Sequence, residues 1–103
     1  MNWKEIIEKE IKENKLMAYI RGTPEAPRCG FTARTIRVLN ELGQPYKTQD
    51  MDQDPELWAT LKEMNNWPTS PQIFVNGEFI GGCDIFCEMY RQGELHKLLG
   101  LQG

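Results

Sequence analysis

In Pro27-Arg28-Cys29-Gly30-Phe31-Thr32-Ala33 one thiol stands where a dithiol redox centre has two, since the position three residues after Cys29 carries a hydroxyl. The segment cannot close a Cys-X-X-Cys disulfide of its own, which leaves Cys29 to act alone as nucleophile or ligand. A helical pattern begins just after it. A thiol at a helix N-terminus sits beside unpaired backbone N–H groups and the positive end of the macrodipole, and both favour thiolate over thiol. Arg21, at the end of the preceding apolar run, adds a permanent positive charge. Together these lower a cysteine pKa from about 8.5 into the range of roughly 3.5–7.5 found for reactive cysteines. Pro27 and the charged Arg28 argue against a buried, purely structural cysteine.

Two further stretches carry chemistry-bearing residues. Thr69-Ser70-Pro71 enters an apolar run, and a proline is tolerated at the first residue of a strand, so a turn is the minimum reading. A cis bond there would turn backbone groups toward Cys29, ready to pair with a peptide-like ligand. Gly81-Gly82-Cys83-Asp84 has the makings of an anion site: two glycines admit a ligand to the backbone, and the following N–H groups can hold a carboxylate. Asp84 is expected to cap the helix that follows, and it could also receive an ammonium. A plain N-cap after a flexible turn is the competing reading of this stretch, and the stretch alone leaves both open. Cys87, one helical turn beyond Cys83, reads as a buried helix-face cysteine rather than a metal partner. His96, in a polar stretch, reads as solvated and not as a ligand, and Trp67-Pro68 is expected to pack under the active-site loop.

The elements that must position these groups are legible in the periodicity. Trp3, Ile6, Ile7 and Ile11 fall on one helical stripe over 2–14, and 15–21 is a mostly apolar run of strand length. Gly22-Thr23-Pro24 and Pro27 break regular structure up to Cys29. From there to Leu42, Ala33, Ile36, Leu39 and Leu42 mark a helix face, with Gly43 as its stop. Residues 46–51 alternate like a strand, and Asp54-Pro55-Glu56 starts a helix with Leu57, Leu61 and Met64 inward. Asn76-Gly77 between apolar runs in 72–80 predicts a two-residue hairpin. A last helix follows, with Ile85, Met89 and Tyr90 inward and a kink or break near Gly93. The order α-β-α-β-α-β-β-α predicts an α/β, thioredoxin-like fold. Its four-stranded mixed sheet is flanked by helices, with Cys29 at a strand-to-helix junction.

Length and charge narrow the class. At 103 residues a single domain spanning 1–103 is expected. Twelve basic against fifteen acidic side chains, with the basic ones scattered, argue against nucleic acid as partner. No apolar run approaches the roughly 20 residues that span a bilayer, which argues against a membrane. The N-terminal segment is amphipathic but rich in Glu, unlike a transit peptide, and lacks a signal's unbroken apolar stretch. Three cysteines do not make a disulfide framework, so a reducing, cytoplasmic location is expected.

The segments "RGTPEAPRCGFT", "NNWPTSPQIFVNGEF" and "GGCDI" resemble the monothiol glutaredoxins of the CGFS type, in order and spacing, from about Leu16 to Leu99. The resemblance implies a glutaredoxin fold, glutathione as ligand, a [2Fe–2S] cluster and a cis bond before Pro71. Cys29 matches the family's catalytic and cluster-ligating cysteine. Thr69, Ser70 and Pro71 match the segment whose backbone pairs with the cysteinyl part of glutathione. Cys83 and Asp84 match the pair at its γ-glutamyl end, and Lys62 matches a basic position near its glycine carboxylate. Three positions depart from the pattern. Thr32 stands in place of Ser, and Arg21 in place of Lys, which exchanges a compact ammonium for a planar fork. Trp58 stands where many relatives carry an arginine that reaches glutathione, and that contact is not carried over.

A two-iron cluster takes four ligands, typically thiolates. With one Cys29 per chain, the resemblance implies a homodimer in which two glutathione thiols supply the remainder, and a role in cluster assembly and transfer. It leaves room for a BolA-like protein and for iron–sulfur recipient apoproteins as partners. The competing reading is a glutathione-dependent thiol–disulfide oxidoreductase in which Cys29 removes glutathione from protein thiols, with weak turnover. A docking module without chemistry fits poorly with the retained Cys29 and the intact Gly-Gly-Cys-Asp.

Overall fold

In the computed structural model, which describes residues 2–101, the chain follows the expected order of elements. Residues 1, 102 and 103, the ends of the expected domain, lie outside the described residues. Helix α1 (Trp3–Glu13) leads into β1 (Leu16–Ile20), then α2 (Gly30–Leu42) and β2 (Lys47–Asp50). A 3₁₀ turn (Met51–Gln53) precedes α3 (Pro55–Asn65), the hairpin of β3 (Gln72–Val75) and β4 (Glu78–Gly81), and α4 (Cys83–Arg91) with α5 (Glu94–Leu98). The sheet order is β2-β1-β3-β4, with β1 parallel to β2 and antiparallel to β3, and β3 antiparallel to β4.

The central strand β1 is apolar throughout because both of its faces are covered. Leu16, Ala18 and Ile20 meet Ile36, Leu39 and Phe86 from α2 and α4, while Met17 and Tyr19 meet Ile7, Leu57 and Leu61 from α1 and α3. The period of two sends successive side chains to opposite layers. On the α1 side the buried Glu10 carboxylate accepts from the Tyr19 hydroxyl at 3.0 Å and from Gln49 Nε2 at 2.7 Å, with Lys47 Nζ at 3.3 Å.

Local signals account for the boundaries. Asp54 caps α3 by accepting from the Glu56 N–H at 2.9 Å, with Pro55 in the first turn. Asn76 and Gly77 adopt φ of 53° and 82°, the two left-handed residues that a type I′ hairpin turn requires. Three expectations of facing need correction. Ala33 is exposed, and the inner face of α2 is carried by Thr32, Thr35, Ile36, Val38, Leu39 and Leu42. In α4, Phe86 is the fully buried residue and Ile85 is exposed, because the helix starts at Cys83 and its phase turns Ile85 outward. His96 is half-buried rather than solvated: its ring stands against Tyr90 and Nδ1 is covered without a hydrogen-bond partner. The break near Gly93 is present as the left-handed residue between α4 and α5. Among the described residues no helix is long and apolar enough to cross a membrane.

Candidate functional site

Cys29 is itself the N-cap of α2, with its sulfur in the place a capping oxygen normally takes. The Thr32 backbone N–H donates to Sγ at 3.4 Å, and the Thr32 hydroxyl lies 3.3 Å from the same sulfur. Burial alone would raise the thiol pKa. The Thr32 hydroxyl, the Thr32 and Phe31 backbone N–H groups and the Arg21 charge outweigh it, so the pKa falls below the ordinary cysteine value. Thr32 is fully buried and also accepts the Arg21 backbone N–H at 3.2 Å, which ties the thiol's helix to the end of β1.

The loop between β1 and Cys29 is closed on itself. Gly22 pairs with Pro27 in an isolated bridge, and the Arg28 N–H donates to the Arg21 carbonyl at 2.9 Å. Gly22 holds φ of +95°, and a Cβ there would lie 2.4 Å from the Ala26 carbonyl oxygen, so only glycine fits. The Arg21 side chain turns to Asp52, with Nε 3.2 Å from the carboxylate, and Arg28 approaches the same group at 3.9 Å. Arg21 therefore lends its charge to the thiol while shared with an acid.

A cavity opens between the N-termini of α2 and α4. Phe31, Trp67, Thr69, Ser70, Gly82, Cys83, Asp84 and Ile85 line it. The Ser70–Pro71 bond is cis, as the resemblance implies, and Pro71 is buried behind the lining. The segment 67–71 is held from below by Gln72, whose buried amide donates to the Trp67 carbonyl at 2.9 Å and the Thr69 carbonyl at 3.3 Å. Its oxygen accepts from Asn65 at 2.7 Å. The structure thus gathers Thr69, Ser70, Cys83 and Asp84 around one hollow, with Cys29 two residues before its Phe31 wall.

Lys62 is not brought into this lining. Its ammonium lies over the Trp58 ring, 4.6 Å from the centroid, one turn back along α3. Asp84 does not cap α4, contrary to expectation: Gly82 occupies the cap position, which places Asp84 within the first turn, and its carboxylate pairs with Arg34 Nη1 at 3.7 Å. Cys83 is buried with its Sγ 3.8 Å from that of Cys87. Cys87 is half-buried, and burial first, then the Cys83 thiol, push its pKa up.

Three contributors escaped the sequence reading. Gln72 was visible only as a polar residue in an apolar run, a signal for a buried amide with a task. Asp52 and Arg34 gave no local signal, since their partners lie 31 and 50 residues away in the chain.

The glutaredoxin family model matches residues 8–80. The chain is 45% identical over 95 residues to a Rickettsia felis protein named probable monothiol glutaredoxin 2, covering 92% of this chain and 91% of the relative. Among solved structures, a monomeric truncated mutant of Trypanosoma brucei 1-C-Grx1 aligns with a TM-score of 0.86 at 40% identity, over 97% of this chain and 90% of the other. A buckwheat glutaredoxin–glutathione complex aligns with a TM-score of 0.81 at 27% identity, over 95% and 90% of the two chains.

Proposed function

The chain belongs to the glutaredoxin family, among its monothiol members, and from that premise we propose that it binds glutathione and carries a [2Fe–2S] cluster between two subunits for assembly or transfer. The observation that carries this reading is Cys29: a half-buried thiol capping α2, its pKa lowered, beside a hollow lined by Thr69, Ser70, Cys83 and Asp84. The buckwheat glutaredoxin, 27% identical to this chain, was solved in complex with glutathione. Here Ser70 would pair with the cysteinyl backbone and Pro71 would set the direction of that segment. The N–H groups of Cys83 and Asp84 would hold the γ-glutamyl carboxylate. Thr69 would close one side, and the opposite, glycine end would meet Arg21 and Lys62.

The donor set fits a shared cluster. In a shared cluster Cys29 would supply one thiolate, the Cys29 of a second chain another, and two glutathione thiols the remainder; among the described residues no group of three or more His, Cys, Asp or Glu converges to hold it within one chain. When bound, such a group supplies iron and sulfide in a form that exchangeable thiols release. A homodimer in the loaded state, iron–sulfur apoproteins and a BolA-like protein as partners, and a reducing compartment such as the cytoplasm complete the proposal.

The lowered Cys29 pKa supports a second reading. The Cys29 thiolate attacks the glutathione sulfur of a glutathionylated protein, a Cys29–glutathione disulfide forms, and the protein thiolate leaves. A second glutathione thiolate then releases Cys29 with glutathione disulfide as product. This cycle needs no second cysteine; weak turnover is what the CGFS-type resemblance implies for it.

Reconstitution without oxygen, with iron, sulfide and glutathione, tests the first reading. It should give a coloured dimer with one cluster per two chains; Cys29→Ser should lose it and Cys87→Ser should keep it. Full cluster in the Cys29 variant overturns the assignment, and turnover equal to that of a dithiol relative assayed alongside puts the second reading first.

A further inference from the structure

The thiols of Cys83 and Cys87 have no part in the proposed use of Cys29, yet their sulfurs meet at 3.8 Å on one face of α4. From this geometry we infer that the pair is a separate site for a soft, thiophilic cation of the Cu(I) class, distinct from the Cys29 centre. Residues four apart on a helix have Cβ atoms about 5–6 Å apart, whereas a disulfide needs them at about 3.5–4.5 Å. Closing that bond requires distortion of the helix, so direct oxidation of the pair is disfavoured. A bridging metal adds an atom to the span. At metal–sulfur bonds of about 2.3 Å a near-linear pair, as two-coordinate Cu(I) prefers, holds its sulfurs about 4.6 Å apart, so a side-chain rotation of the half-buried Cys87 opens the 3.8 Å contact to admit the ion without moving the backbone.

The surroundings select the ion. Thiolates favour soft metals such as Cu(I) over hard cations. A zinc site would want four protein donors, and among the described residues no group of three or more converges here or elsewhere. Two thiolates suffice for a monovalent soft ion, and the complex would carry a single negative charge. Cys83 is buried against the core, which keeps water from competing. Cys87 has an outer side that lines an open hollow with Arg34, Asp84, Glu88 and Arg91. Asp84 and Glu88 at this mouth are paired with Arg34 and Arg91, so the mouth is close to neutral and admits a monovalent cation without repulsion. Binding releases the two thiol protons to solvent and changes no oxidation state.

The test uses Cys29→Ser, in which Cys83 and Cys87 are the remaining cysteines. Cu(I) is offered anaerobically from its coloured bicinchoninate complex. One equivalent per chain should pass to the protein, and adding Cys87→Ser should weaken affinity by at least about tenfold with the circular dichroism spectrum unchanged. Cys87→Ala repeats the comparison with an apolar side chain should the serine disturb packing. Equal copper affinity with and without Cys87 overturns the inference. So does a Cys29→Ser chain that takes no copper but loses both thiols to glutathione disulfide, which would make the pair a redox couple. The readout needs no cluster and no glutathione, so it stands apart from the test of Cys29.

Discussion

The hydroxyl of Thr32 lies 3.3 Å from the sulfur of Cys29. With the thiol protonated, the S–H donates to this oxygen; with the thiolate, the hydroxyl donates to sulfur, which stabilises the charged form. The same oxygen accepts the Arg21 N–H, so one buried side chain positions the thiol and tunes it.

Replacing Thr32 by Val should therefore raise the Cys29 pKa. A lowered pKa means that alkylation by iodoacetamide reaches its plateau at a lower pH than for free cysteine. In Thr32→Val the midpoint should move upward, while Thr32→Ser keeps it near the parent value. The valine also leaves the Arg21 N–H without its acceptor, at a cost of about 1 kcal/mol in stability. Superimposable pH profiles for parent and valine variant would remove Thr32 from the account of thiol reactivity.

Acid should loosen the attachment of α1 to α3. Asp54 has its carboxyl pKa held below the usual value first by the Trp3 indole N–H, at 2.7 Å, and next by the Glu56 N–H. A depressed carboxyl pKa adds stability above the unfolded value of about 3.9, and that contribution fades as pH falls through the folded value. Trp3→Phe removes the main donor. Urea midpoints followed from pH 6 to pH 3 should fall more steeply for the parent than for the variant, whatever their absolute offset. Parallel curves would show that the indole does not set the acid response.

Glu10 is the acceptor for the buried Tyr19 hydroxyl and for Gln49. Burial first, then the Glu10 carboxylate, push the Tyr19 phenol far above its usual range, so it stays a donor at all ordinary pH. Glu10→Ala strands that hydroxyl and should cost about 1–3 kcal/mol in urea unfolding. A change within experimental error would mean that water reaches the gap and satisfies the phenol.

At the proposed glutathione pocket, Asp84→Ala should weaken binding more than Lys62→Ala. Asp84 lines the hollow, whereas Lys62 rests over Trp58 outside its lining. Asp84 is largely exposed, so a charge pair made there with the ligand is worth only about 0.2–1 kcal/mol and the affinity loss should be about 1.4- to fivefold. Calorimetric titration of glutathione into both variants decides the order, and a larger loss in Lys62→Ala overturns this account of the pocket.

Most of the fold was legible because it is written in local patterns. The stripe in α1, the capped start at Asp54 and the Asn76-Gly77 turn each depend on neighbours in sequence, and each stands where expected. The errors fall where one residue of phase matters. Starting α4 at Cys83 rather than after Asp84 turned Ile85 outward, brought Phe86 into the core and cost Asp84 its capping role. Cys29 and the lining residues Thr69, Ser70, Cys83 and Asp84 could be named from motifs. The pairing of Arg21 with Asp52, or of Asp84 with Arg34, could not, because it exists only once distant elements have packed.

The Arg34–Asp84 pair gives that corner of the pocket a character that neither residue has alone. A carboxylate already matched to a guanidinium is no vacant trap for any passing cation. An arriving ammonium must displace its rival, and the released guanidinium then seeks an anion close by. A head group carrying both signs satisfies the two exchanges together, while a ligand with one sign leaves a partner stranded. Between exposed groups such an exchange is worth only about 0.2–1 kcal/mol, so the corner would favour a ligand by how its charges are separated rather than hold it by their number.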